Sequence, residues 1–209
     1  MIVRPSGFRG AAFTTARAGD MARGDRFTVS TQLGIKPEWA TARQIHGAKL
    51  LEVKEPGRAG EGDALFTVSR ALPLAVFTAD CAAIVLESAG AVAVVHAGWR
   101  GAAAGVVSDA AGYLEERASR HEPVLRAAMG PLIGPCCFEV GDEVAAVFPG
   151  WESTTTWRTT SVDLGGAIRA QVPGAKWWSL DACTRCGDGW FSHRANATRF
   201  RQAAIGWIP

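Results

Sequence analysis

Two segments, Ala71-Leu-Pro-Leu-Ala-Val-Phe77 and Ala91-Val-Ala-Val-Val95, are apolar and rich in β-branched residues, with Ile84-Val-Leu86 between them. Short apolar runs of this kind predict buried strands. Small residues then take over from Gly98 to Gly112, and Ala102 to Glu116 reads as a helix that turns Asp109, Glu115 and Glu116 to solvent. The order is strand, strand, helix. Further helices are predicted at Gly141 to Phe148 and Leu164 to Val172, and a closing strand at Ala203 to Ile208. Before residue 62 only short apolar runs occur, such as Ala11 to Phe13 and Ala48 to Val53, which predicts short strands and loops. The pattern implies an α/β or α+β fold, a single compact domain over residues 1–209 with a central mixed sheet flanked by helices.

Length and composition narrow the classes. A chain of 209 residues is long enough to bury a full core and shorter than the size at which cores split. It is 48% hydrophobic with a formal charge of +2, which argues against a disordered chain and against a basic field for nucleic acid. A small, roughly neutral partner is expected. Met1-Ile-Val-Arg-Pro5 lacks the charged and apolar regions of a signal peptide. No apolar run reaches the about 18 residues of a membrane span, so a cytoplasmic location without membrane contact is expected. Five cysteines, an odd number, point to metal binding, reactivity or burial rather than to a disulfide framework.

Candidate chemistry gathers at the ends of the buried strands. Thr78-Ala-Asp-Cys81 follows one run and His96-Ala-Gly-Trp-Arg-Gly101 follows another, while His46 lies in Gln44-Ile-His-Gly47. Two imidazoles and a thiolate suit zinc with a fourth position left open, and also suit copper. The three are far apart in sequence, so spacing alone cannot assemble them. A lone cysteine is commonly a small buried hydrophobe, and a lone histidine a hydrogen-bonded side chain. In His96 to Gly101 the glycines and Arg100 form either a phosphate cradle or a tight turn with a structural ion pair. The pattern of a P-loop is absent.

Other residues carry less. Cys183-Thr-Arg-Cys186 has zinc-knuckle spacing, but a structural site needs a second pair, which adjacent Cys136 and Cys137 do not readily supply; burial is the expectation. Trp99, Trp177, Trp178 and Trp190 serve either the core or the stacking of a base. Asp80 is a candidate to orient a ligand or act as a base, and His121 is expected to be solvated.

Gln44-Ile-His-Gly47, Thr78-Ala-Asp-Cys81, Val95-His-Ala-Gly-Trp-Arg-Gly101 and Ile133-Gly-Pro-Cys-Cys-Phe-Glu-Val-Gly141 resemble, in this order, blocks of the YfiH-like laccase-domain family. Cys183-Thr184 and Phe191-Ser-His-Arg194 resemble its C-terminal block. The resemblance implies that His46, Cys81 and His96 are metal ligands at a catalytic centre, with Gln44, Arg17 and Arg100 as substrate or phosphate contacts. It implies a zinc-dependent purine nucleoside phosphorylase acting on adenosine, inosine and methylthioadenosine, with adenosine deamination as an accompanying activity, in a monomer or homodimer. Copper-dependent polyphenol oxidation and peptidoglycan editing are the alternatives under which the family is also known. Four histidines cannot furnish a blue-copper centre together with a multicopper cluster. The His-x-Glu and Pro-Cys-x-x-Cys pattern of the usual zinc deaminases is absent. Arg17 is displaced by one place from the family pattern, His193 stands where tyrosine is usual, and Arg199-Phe-Arg-Gln202 replaces Thr-Gly-Arg-Gln.

Overall fold

Strands whose two faces are both covered need apolar side chains at every position, and the middle of this chain supplies them. In the hairpin of β8 (Ala82–Ser88) and β9 (Ala91–Ala97) every residue is buried. Ala82, Ile84, Leu86, Ala93 and Val95 pack to one side, while Ala83, Val85, Val92 and Val94 pack to the other. Each fully buried Val, Leu or Ile of this kind contributes about 1.5–3 kcal/mol. The computed structural model describes residues 1–24, 26–117 and 125–209; His121 lies outside the described residues.

The hairpin sits at the centre of a six-stranded mixed sheet ordered β13 (Lys176–Ser179), β10 (Arg126–Met129), β8, β9, β6 (Ala64–Thr67), β4 (Leu50–Glu52). A second six-stranded mixed sheet is ordered β1 (Ile2–Val3), β2 (Ala11–Thr14), β14 (Gln202–Gly206), β7 (Leu74–Thr78), β3 (Ala40–Arg43), β5 (Gly57–Glu61). The mixed α/β class is therefore as the sequence implies, but the single central sheet expected there is two sheets packed face to face. Their shared core holds Phe13, Leu65, Val76, Val85, Val94 and Ala204. The split arises because β7 and β8, adjacent in sequence, join different sheets, and the short link between them carries Asp80 and Cys81.

Helices close the two outer faces. α1 (Phe27–Leu33) covers the second sheet, burying Val29 and Leu33 with Trp39, Ala75 and Ile205. α2 (Trp99–Ala103), α3 (Val106–Arg117), α4 (Asp142–Ala145) and α5 (Leu164–Ala170) add side chains to the core on the free face of the first sheet. α6 (His193–Asn196) and a hairpin of β11 (Glu152–Thr154) and β12 (Thr160–Val162) complete the described elements. Among these residues no helix is long and apolar enough to cross a membrane.

The helix expected at Ala102 to Glu116 is two helices. Gly105 adopts φ 79°, a left-handed conformation that ends α2 and lets the chain restart as α3. Within α3 the buried residues Val106, Val107, Ala110, Ala111 and Leu114 form one stripe, with Asp109, Glu115 and Glu116 exposed as the pattern predicts. α4 is shorter than Gly141 to Phe148, its last residues continuing as turns, and the closing strand is Gln202–Gly206.

Candidate active site

The first sheet's strand β9 carries His96 inside its last turn of pairing, opposite Ala83 of β8, so its backbone is fixed and its ring is buried. Cys81 is half-buried at the crossing between the two sheets, one residue before β8 begins. His46, on the loop after β3, is exposed. One ligand atom from each of the three lies within 4.8 Å of the others, and the two imidazole rings meet edge to face with centroids 4.8 Å apart. Residues separated by up to fifty positions thus converge because two sheets and a loop end at one place.

What holds both histidines, His96 by its ring and His46 by its main chain, is Asp63, a residue with no distinguishing sequence pattern. It is fully buried just before β6, and its Oδ1 stands 2.8 Å from His96 Nδ1. The same carboxylate accepts the backbone N–H groups of Ile45, His46 and Gly47 at 3.2, 2.9 and 2.8 Å. His46 has φ 61°, a left-handed conformation that costs a non-glycine residue about 1–3 kcal/mol. The three hydrogen bonds to Asp63 offset that strain. With Nδ1 engaged, His96 presents Nε2 to the site.

The electrostatics suit a cation. Burial opposes ionisation of Cys81, yet hydrogen bonds from His46 and His96 bring its thiol down to about 6. Burial likewise disfavours a charged His96, but Asp63 and Cys81 hold its pKa up at about 9. Asp63 stays below the usual carboxylate range because hydrogen bonds from His96, Gly47 and Ile45 outweigh its desolvation. A proton gathered between a thiolate and a carboxylate marks the negative potential that a metal ion would satisfy, and the donor set fits a borderline ion such as zinc.

Gly98 sits tightly against these ligands. A Cβ on Gly98 would stand 3.0 Å from His46 Cδ2 and 3.2 Å from Cys81 Sγ, so the turn into α2 packs directly on them. Past that turn, Trp99 and Arg100 join His46, Cys81 and His96 in lining a cavity of about 670 Å³. This volume is within the range of small-molecule sites. Arg100 is exposed, its guanidinium 4.2 Å over the Trp99 ring, and it makes no ion pair among the described residues.

The remaining candidates divide. Gln44 lines the cavity, but its side-chain amide pairs with the Phe77 backbone, donating to the carbonyl and accepting from the N–H at 2.8 Å each. It fastens the His46 loop to β7. Arg17 is exposed on a 3-10 turn, Ala16–Ala18, and does not line the cavity. Asp80, with φ 98°, uses one carboxylate oxygen to accept from Thr184 Oγ1 at 2.6 Å and the other to accept from the Arg194 backbone N–H at 2.7 Å. It anchors the C-terminal block. Of the tryptophans only Trp99 lines the cavity; Trp178 stacks on Phe13 and Trp177 packs against the core. Arg194 and Arg201 also face the cavity, which the sequence did not single out.

Cys183 and Cys186 are not buried as expected: Cys183 is half-buried and Cys186 exposed. They meet Cys136 and Cys137, the four sulfurs lying within 4.8 Å of one another, so the adjacent pair does supply what the knuckle lacked. Two consecutive residues in a tight turn can present both side chains to one point, which spacing in sequence does not reveal.

A mixed α/β chain of this architecture, with a candidate Cys/His metal site, has known counterparts. A family model described as multi-copper polyphenol oxidoreductase laccase matches residues 18–209, and the chain belongs to this laccase-like family. Among curated relatives, "Purine nucleoside phosphorylase YlmD" of Geobacillus stearothermophilus is 35% identical over 184 residues, covering 75% of this chain and 66% of its own length. "Purine nucleoside phosphorylase ORF3" of Streptomyces griseus is 34% identical, covering 88% of this chain and 80% of its own. The crystal structure of YlmD from Geobacillus stearothermophilus superposes with TM-score 0.82 at 29% identity, over 97% of this chain and 93% of that one. That of Bacillus licheniformis YfiH gives TM-score 0.84 over 95% and 92%, at 23% identity, a likeness of fold.

Proposed function

We propose that this chain is a zinc-dependent purine nucleoside phosphorylase acting on adenosine, inosine and methylthioadenosine. The observation that carries the reading is that the His46, Cys81 and His96 triad and the guanidinium of Arg100, which makes no ion pair among the described residues, line one cavity of about 670 Å³. The names of the relatives above support the reaction class. In phosphorolysis a phosphate oxygen bonds to the ribose C1′, the C1′–N9 bond breaks, and the purine leaves with its electron pair and takes up a proton. When bound, zinc supplies a Lewis-acidic positive centre held by His46, Cys81 and His96.

The chain's own residues do the rest. Arg100 holds the phosphate dianion through charge-assisted hydrogen bonds, supported by the positive charge of Arg194 and Arg201 on the same cavity. Phe77, Trp99 and Phe138 offer faces on which an apolar purine can pack while water is excluded. Asp63 keeps His96 in one tautomer, and Gln44 keeps the His46 loop against β7. We assign Arg17 no contact, since it stands outside the cavity lining. Adenosine deamination needs a carboxylate to shuttle protons, and the lining carboxylate, Asp80, is committed to Thr184 and Arg194. Phosphorolysis is the activity assigned.

The test is product analysis with adenosine, inosine or methylthioadenosine, each with and without inorganic phosphate. Release of free base with ribose 1-phosphate, or its methylthio analogue, only when phosphate is present is the expected result. Conversion of adenosine to inosine without base release, or no turnover of any of the three, overturns the reading.

A further inference from the structure

We propose a second metal site, remote from the catalytic ligands in composition and independent of the phosphorylase reading: a structural zinc held by the thiolates of Cys136, Cys137, Cys183 and Cys186. The four sulfurs lie within 4.8 Å of one another, and Cys136 Sγ is 3.7 Å from Cys186 Sγ. Zinc–sulfur bonds of about 2.3 Å in a tetrahedron require sulfur–sulfur edges of about 3.8 Å. The cluster has the size of one tetrahedral ion. Thiolates around a multi-iron cluster stand farther apart, because the cluster's own irons and sulfides lie between them.

Local backbone is shaped for such a site. Leu132 bridges Cys183 in parallel register, the Leu132 N–H bonding to the Ala182 carbonyl and the Thr184 N–H to the Leu132 carbonyl. The chain then turns at Gly134, whose carbonyl accepts from the N–H groups of Cys137 and Phe138 and whose own N–H points at Cys183 Sγ, 3.3 Å away. The Cys183-to-Cys186 knuckle closes through the Gly187 N–H and the Cys183 carbonyl. A backbone N–H aimed at the Cys183 sulfur, as that of Gly134 is, supports a ligating thiolate. All four cysteines are free thiols in the structure. A divalent ion bound by the four sulfurs would take up their lone pairs and release the thiol protons.

The site would brace the cavity from outside. Phe138, next to the first pair, and Ile133, three residues before that pair, line the cavity, and the Ile133 N–H donates to the Asp80 carbonyl beside Cys81. Thr184, next to the other pair, holds the Asp80 carboxylate. One ion would thus tie the segments around residues 133–138 and 183–187 to each other and to the link that carries Cys81.

Metal analysis of the purified full chain tests this apart from activity. Wild type is expected to hold about two zinc ions per chain, Cys81→Ser about one, Cys186→Ser about one, and the double variant none. Cobalt-loaded Cys81→Ser should show intense thiolate-to-cobalt absorption that disappears when Cys186→Ser is added. In folded wild type these four thiols should resist a thiol reagent until a strong chelator is added. A wild-type content of one zinc that vanishes in Cys81→Ser overturns the proposal. So does immediate titration of the four thiols without chelator, or an intact mass showing loss of hydrogens to disulfides.

Discussion

Asp63 Oδ1 lies 2.8 Å from His96 Nδ1, and the same carboxylate receives the backbone N–H of His46. One buried side chain therefore orients one candidate ligand through its ring and another through its main chain. Asparagine at this position keeps the volume, but with its oxygen left to His96 and His46 its amide nitrogen takes the place of Oδ2 and cannot accept the N–H groups of Ile45 and Gly47. Asp63→Asn is expected to weaken zinc at the His46, Cys81, His96 site by about 10–100-fold, the usual loss when an outer-shell partner is removed. Competition against a chromophoric chelator measures it, and unchanged affinity would show that Asp63 does not set the ligand geometry.

Cys81→Ser removes the single thiolate of this site while leaving the packing of β8 largely intact, since Cys81 is only half-buried and precedes the strand. One zinc should be lost per chain, base release should fall to background, and the circular dichroism spectrum should stay that of wild type. A variant that retains its full metal complement refutes the ligand assignment.

The laccase description of the family raises copper chemistry. A thiolate with two imidazoles can take up copper, but the other histidine among the described residues, His193, is not part of the triad and bonds toward the Thr198 carbonyl. Without histidines for a multicopper cluster among the described residues, added copper is expected to give little phenol oxidation. Stoichiometric oxygen uptake with a phenol would reverse this conclusion.

Gly98 offers a test of packing at the ligands. A Cβ would stand 3.0 Å from His46 Cδ2, so Gly98→Ala requires the exposed imidazole to shift. The fold should survive, because the displaced group is a surface side chain, while metal affinity and turnover fall together by about tenfold or more, a barrier change of about 1.4 kcal/mol. Turnover and zinc affinity equal to wild type would mean that the His46 loop yields without cost.

How much of this was legible in the sequence depended on the range of the interaction concerned. The β8–β9 hairpin and the apolar stripe of α3 are local patterns, and Ile84 to Leu86, Ala91 to Val95 and Leu114 announced them. That the strands divide into two sheets was hidden, because Leu74 to Thr78 and Ala82 to Ser88 have the same apolar character and only the strained link at Asp80 separates them. The three candidate ligands stood out weakly as two imidazoles and a thiol near strand ends, but their separation is too long for spacing to join them, and the resemblance alone grouped them. Asp63 left no signal, since an isolated aspartate before a strand is ordinary until its four partners are seen. The meeting of Cys136 and Cys137 with the distant knuckle was hidden for the same reason.

Arg100 settles whether the turn after His96 recognises phosphate or only packs. The geometry favours recognition: the guanidinium lies over Trp99, faces the cavity and has no carboxylate partner among the described residues, so the structural ion pair that would explain it otherwise is not formed. Removing one charge-assisted contact to a bound anion costs about 1.5–3 kcal/mol. Arg100→Ala should therefore lower kcat/KM for phosphate by about 10–100-fold, with zinc content unchanged. Arg100→Lys, which keeps the charge but not the planar fork, should recover only part of the loss. Thermal stability should stay close to wild type, because an exposed side chain stacked on one ring contributes little to the fold. A variant that loses stability while its folded fraction keeps the wild-type phosphate dependence would move Arg100 from recognition to structure.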